Sequence, residues 1–271
     1  MRKTTASLAA AILAIAATAF PVSAGGPEAP ITASFLPGWV RADGSRVVAL
    51  RMDLAKGWKT YWRAPGDAGI PPQFDWSGSR NLASVGVNWP TPVVFDESGM
   101  RSIGYKDRVV IPLTIAPKTP GAPVSLSLGL DMGICSDICI PHRLDISARI
   151  DTDATQPDPV IAAALAQVPY SAREAGVISA TCAFSPSPDG LRIEARVGMP
   201  SAGGEEFMVI EPGQGGVWVS EADTRRNGGE VTGVSEMVQI HGEPLAVDRR
   251  NIRLTVLGRN HAVDIRGCTP G

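Results

Sequence analysis

VSLSLGLDMGICSDICIPHRLDISARI, residues 124–150, carries the pattern that decides the fold. Apolar side chains occupy every second position, at Val124, Leu126, Leu128 and Leu130 and again at Leu144, Ile146, Ala148 and Ile150. Successive strand side chains point to opposite faces, so this spacing predicts two half-buried strands. The first is expected to end near Met132, with a break at Gly133 and a restart at Arg143. That places Cys135 and Cys139 on a hairpin-like tip, where a visiting thiol can reach them.

Outward from this hairpin the same alternation recurs at Val48, Leu50, Met52 and Leu54. Turn clusters at Ala64-Pro65-Gly66-Asp67, Pro71-Pro72 and Pro120-Gly121 separate the strands, as in an antiparallel sandwich. The first β domain is assigned to residues 25–150. Residues 151–175 read as a connector, in which Asp158 followed by Pro159 suits an N-cap and first turn of a short helix through Gln167. From 176 to 271 a second, smaller β-sandwich is expected, with strands over 178–184, 191–198, 205–211, 216–220, 230–240, 251–257 and 261–267. The fold class is therefore all-β: two immunoglobulin-like sandwiches joined by a short linker and helix.

Composition agrees. The 271 residues are 44% hydrophobic and 19% charged, which excludes disorder, while 29 glycines and 23 prolines favour many short segments over long helices. A formal net charge of −2 argues against nucleic acid as a partner. Residues 1–24 have the three parts of a secretory signal: Arg2 and Lys3, an apolar run from Leu8 to Phe20, and small residues at Val22 and Ala24. Cleavage is expected after Ala24. The apolar run is shorter than the ~20 residues a bilayer requires, and no later run is longer, so no membrane span is expected.

Export places Cys135, Cys139, Cys182 and Cys268 in a compartment where disulfides persist. Four cysteines allow three connectivities, and sequence alone does not choose among them. A bridge from Cys182 to Cys268 ties together the two ends of the second domain, and in the chain-entropy model it stabilises by roughly 4–5 kcal/mol. A bridge from Cys135 to Cys139 contributes only ~2 kcal/mol in that model, which makes it a poor staple. Its tight turn and its access favour a labile, exchanging disulfide. Two inert bridges of a secreted β protein are the competing reading of the same composition. Local charge does not decide: Asp131 and Asp137 raise a thiol pKa, whereas His142 and Arg143 lower it.

A longer signature runs Trp58-Lys59-Thr60-Tyr61-Trp62-Arg63-Ala64-Pro65-Gly66-Asp67-Ala68-Gly69-Ile70-Pro71-Pro72, then Phe74-Asp75-Trp76, Trp89-Pro90, Gly104-Tyr105 and Cys135-Ser136-Asp137-Ile138-Cys139-Ile140-Pro141. Across residues 35–150 the chain resembles the N-terminal periplasmic domain of the DsbD/ScsB thiol:disulfide interchange family. The resemblance implies an immunoglobulin-like sandwich whose cysteine pair takes electrons from a membrane-embedded DsbD/CcdA-type donor. It passes them to periplasmic thioredoxin-like or disulfide-containing proteins, with no cofactor. It also implies that Cys139 forms the mixed disulfide and Cys135 resolves it. Only three residues separate the cysteines, and neither a membrane domain nor a thioredoxin-like domain follows. A freestanding module with a separate electron donor is therefore expected. Tyr61, Trp62 and Tyr105 are candidates for an apolar cap over the pair.

Two other readings compete. Met132, Cys135, Cys139 and His142 offer soft donors suited to Cu(I), as in a copper-tolerance protein. Sco-type copper proteins carry a similar motif on a thioredoxin-like scaffold, which no helix–strand alternation here supports. A non-catalytic immunoglobulin-like binding module is the other. His241 and His261 show no ligand spacing, and no P-loop, Gly-x-Ser-x-Gly or His-Glu-x-x-His motif is present.

Overall fold

The computed structural model describes residues 30–67, 69–97, 100–151, 154–240 and 245–271. The expected signal segment, residues 1–24, and His241 lie outside the described residues. Two β-sandwiches account for most of what is described, and no helix there is long and apolar enough to cross a membrane.

The first sandwich comprises β1 (Ile31–Val40), β2 (Arg46–Leu54), β3 (Lys59–Tyr61), β4 (Gln73–Asp75), β5 (Leu82–Val87), β6 (Val93–Glu97), β7 (Met100–Lys106), β8 (Arg108–Pro117), β9 (Val124–Cys135) and β10 (Cys139–Ile150). One sheet runs β1-β2-β8-β5 and the other β10-β9-β3-β7-β6, with β4 also on β9. β10 is thus an edge strand. Leu126, Leu128, Leu130, Met132 and Ile134 all point from β9 into the core, meeting Leu50, Ile111 and Leu113 from the facing sheet. Each side chain buried this way is worth about 1.5–3 kcal/mol. Arg46 closes one end: its guanidinium donates to the carbonyls of Ile150 (2.6 Å) and Ala122 (2.8 Å).

The hairpin is longer than the sequence pattern predicts. β9 and β10 stay in register from Ile150↔Val124 to Cys139↔Cys135, through both Gly133 and Pro141. Proline is tolerated because β10 is at the edge, where a missing N–H need not interrupt a ladder.

The connector is fastened to the first sandwich. Helix α1 (Pro159–Leu165) begins at Asp158, whose carboxylate accepts from the Val160 and Ile161 amides at 2.9 Å each. Ile161 is buried against Trp39, Val47 and Ala49.

The second sandwich contains β11 (Tyr170–Ser171), β12 (Ser179–Ser187), β13 (Gly190–Gly198), β14 (Phe207–Glu211), β15 (Val217–Val219), β16 (Asp223–Asn227), β17 (Glu230–Gln239), β18 (Arg253–Leu257), β19 (Ala262–Arg266) and β20 (Thr269–Pro270). Its sheets run β11-β19-β18-β14 and β15-β17-β13-β12-β20, with β16 on β17. The sequence reading missed β16 because Asp223-Thr224-Arg225-Arg226-Asn227 has no apolar face, and β11 and β20 because two residues show no period. The two cores meet: Leu257 and Ala262 belong to the first core, and Phe207 and Val209 pack on it.

Candidate functional site

Parity along the β9–β10 hairpin determines which side chains share the site. The even positions of β9 enter the core, so Cys135, Gly133 and Asp131 lie on the other face with their partners Cys139, Pro141 and Arg143. Cys135 is joined to Cys139 with Cα atoms 4.1 Å apart, and Cys182 to Cys268 at 5.7 Å. Within the first bridge the two residues differ: Cys135 is fully buried, whereas Cys139 is exposed. In the second, Cys182 is fully buried and Cys268 partly so.

Tyr61 supplies the cover over Cys135. Its hydroxyl donates toward Cys135 Sγ at 2.7 Å and lies 3.2 Å from Cys139 Sγ. Bridged sulfurs carry no proton, so the phenol is the donor. β3 pairs with β9 as Lys59↔Cys135, which places Tyr61 beside Gly133. A Cβ on Gly133 would come within 2.9 Å of the Tyr61 ring and 2.7 Å of Ile70 Cβ. Glycine is needed there so that the ring can lie flat against the strand. At the Cδ1 edge of the ring a Cβ on Gly69 would come as close, 2.9 Å, and Gly69 in turn lies against Pro65. Around Cys139 the surface is apolar: Ile138 is 71% exposed, and Ile140 and Ile70 are also exposed.

The other two cap candidates lie elsewhere. Tyr105 pairs with Thr60 and therefore projects from the opposite, core-facing side of the sheet. Its hydroxyl donates to the Pro90 carbonyl at 2.7 Å, and burial raises its pKa well above the ordinary phenol value. Trp62 is fully buried in the core, with the Arg63 guanidinium 3.7 Å from its ring centroid. Only Tyr61 of the three candidates is placed against the bridge.

The soft-donor set also divides. Met132 and His142 face each other on the core side of the hairpin, one parity away from Cys135 and Cys139. Met132 is buried among core side chains. The four residues do not converge, and no group of three or more His, Cys, Asp or Glu that could hold a metal occurs among the described residues. Arg143 forms ion pairs with Asp131 (2.6 Å) and Asp145 (3.2 Å), and these raise its pKa, so its charge is balanced locally.

Sequence reasoning missed Gly133 and Ile70 as packing partners of Tyr61, and missed Arg63. The Arg63 guanidinium reaches into the second sandwich, donating to Glu211 (3.1 and 3.0 Å) and to Thr255 Oγ1 (3.0 Å). Burial lowers its pKa, against the opposing pull of Glu211.

Fold and site together define a double β-sandwich protein with a short disulfide at an exposed hairpin tip, covered on one side by a tyrosine. Residues 31–149 match the family model described as thiol:disulfide interchange protein DsbD, N-terminal. This part of the chain is therefore a domain of the DsbD N-terminal type. Among solved structures, the N-terminal periplasmic domain of ScsB from Proteus mirabilis is similar at 19% identity, covering 89% of this chain and 93% of that one, with a TM-score of 0.66. That likeness extends through both sandwiches. The reduced DsbD N-terminal domain of Neisseria meningitidis shares 22% identity over 46% of this chain and 91% of its own, at a TM-score of 0.27, too low to bear on the fold. No curated protein sequence matches the chain.

Proposed function

We propose that the chain is a periplasmic thiol:disulfide interchange protein that works through Cys135 and Cys139. Residues 25–150 serve as the exchange module, 151–175 as its connector and 176–271 as a bracing sandwich held by Cys182–Cys268. Residues 1–24 direct export. The single observation that carries this reading is the asymmetry of the bridge, with Cys139 exposed and Cys135 buried beneath Tyr61.

Exchange starts from the reduced pair. The Cys139 thiolate attacks one sulfur of a partner disulfide; that bond breaks, and the departing sulfur takes the electron pair and a proton. The buried Cys135 then attacks Cys139 Sγ, breaking the mixed disulfide and closing its own bridge. The partner leaves with two thiols, having gained two electrons and two protons. The Tyr61 hydroxyl, within reach of both sulfurs, donates to whichever becomes a thiolate. A membrane-embedded dithiol donor of the DsbD/CcdA type restores the pair, and the clients are periplasmic thioredoxin-like or disulfide-containing proteins. The apolar rim of Ile70, Ile138 and Ile140 suits contact with such a protein surface.

Trapping tests the order of attack. Reduced Cys135→Ser protein, mixed with a thioredoxin-like protein in its disulfide form, is expected to accumulate as a covalent adduct that reductant releases. Equal trapping by Cys139→Ser overturns the assignment.

A further inference from the structure

Two arginines of the first sandwich reach the second: Arg101, which pairs with Glu221 and lies over Phe207, and Arg63, the nearer in sequence to Tyr61. Arg63 lies two positions after Tyr61 and directly before the turn in which Gly69 packs against both the Tyr61 ring and Pro65. Its side chain, 11% exposed, is held by Glu211 at the end of β14, by Thr255 on β18 and, at 3.9 Å, by Asp264 on β19. The backbone on either side is tied to β7, Trp62 N to the Ile103 carbonyl and Ile103 N to the Pro65 carbonyl, both at 2.9 Å. A cleft of about 790 Å³ opens between this turn and the 212–221 segment of the second sandwich. The turn is therefore packed on its inner side, open on its outer side, and anchored across the gap by Arg63.

Stability alone does not account for the anchor. Desolvation offsets most of the attraction in a buried ion pair, and Arg63 Nη1 is buried with no hydrogen-bond partner among the described residues. What a planar guanidinium held through both Nε and Nη2 does fix is orientation. We propose that Arg63 is a positioning residue through which the second sandwich keeps Tyr61 and its turn seated over the Cys135–Cys139 bridge, and so sets how readily that bridge exchanges. The proposal rests on the exchange function above and gives the second sandwich a role in it.

The test uses the oxidised full chain and dithiothreitol, with thiols at each bridge followed by alkylation and mass mapping. Glu211→Ala is expected to accelerate reduction of Cys135–Cys139 about tenfold, a typical coupling between sites, and to leave Cys182–Cys268 unchanged. Thr255→Val, a volume-conserving change that removes one acceptor, is expected to give about two- to threefold at the same bridge, and it serves if Glu211→Ala does not fold. In a Tyr61→Ala background the Glu211→Ala effect should shrink below about twofold, because the two changes act through one element. An unchanged rate, equal acceleration of both bridges, or a full effect without Tyr61 overturns the proposal. Failure of the unaltered protein to exchange with a thioredoxin-like disulfide sinks the parent function instead. The dithiothreitol rates would still decide the anchor.

Discussion

The hairpin bridge and the C-terminal bridge are the same bond in different surroundings. Cys135–Cys139 closes a separation of four residues at the tip of two edge-side strands, with one member exposed. Cys182–Cys268 closes a separation of 86, pinning β20 beside β12 at the end of the second sandwich. The Arg249 side chain donates to the Cys182 carbonyl at 3.1 Å, further fixing that corner. A short loop removes little entropy from the unfolded chain, so breaking it costs the fold little; a long loop has the opposite character. On the proposed exchange function, the contrast teaches that loop length and access, not the presence of a disulfide, separate a reactive bridge from a brace.

The sharpest way to break this comparison is to remove each pair in turn. Cys139→Ser is expected to abolish exchange with a thioredoxin-like partner, whereas Cys182→Ala with Cys268→Ala leaves it intact once the protein is folded; insulin-free thiol transfer measured by mass reads both. Stability should invert the ranking. Loss of the C-terminal bridge is expected to cost about 4–5 kcal/mol in chemical denaturation, against ~2 kcal/mol for the hairpin bridge, and the reverse order would remove the distinction. In graded glutathione buffers the 135/139 pair should open at a higher potential than 182/268, since exposed bridges are the more reducible.

Smaller effects sharpen the picture at each site. Tyr61→Phe removes the donor facing both sulfurs, so the Cys139 thiol in reduced protein should shift up by about one pH unit in its alkylation profile. In the second sandwich, burial pushes the Glu206 carboxyl up, but Arg226 and the Ala202 amide at 2.6 Å outweigh it and hold the pKa below the ordinary value. A carboxyl held low when folded contributes stability above its unfolded pKa, and that contribution fades as pH falls through the folded one. Glu206→Gln should therefore flatten the acid limb of that sandwich's stability curve and leave exchange at the hairpin unaltered.

Much of this was legible in the chain. Alternation at Val124–Leu130 and Leu144–Ile150 specified the hairpin because half-buried strands require it. Parity also separates Met132 and His142 from the odd-numbered cysteines, so the divided copper set was readable once the strands were known to continue through Gly133. Tyr105 was placed wrongly because its face depends on pairing with Thr60, a relation that local pattern does not encode. Arg63 was out of reach: its partner Glu211 lies 148 residues away, and nothing near either residue announces the other.

The outermost place of β10 in its sheet has one more consequence. An open strand border can zip onto a copy of itself, the first step toward aggregation. Arg143, Asp145 and Arg149 line this one with exposed charge, and Pro141 withholds a backbone donor. The exposed sulfur of Cys139 is thus carried on a margin that discourages its own kind.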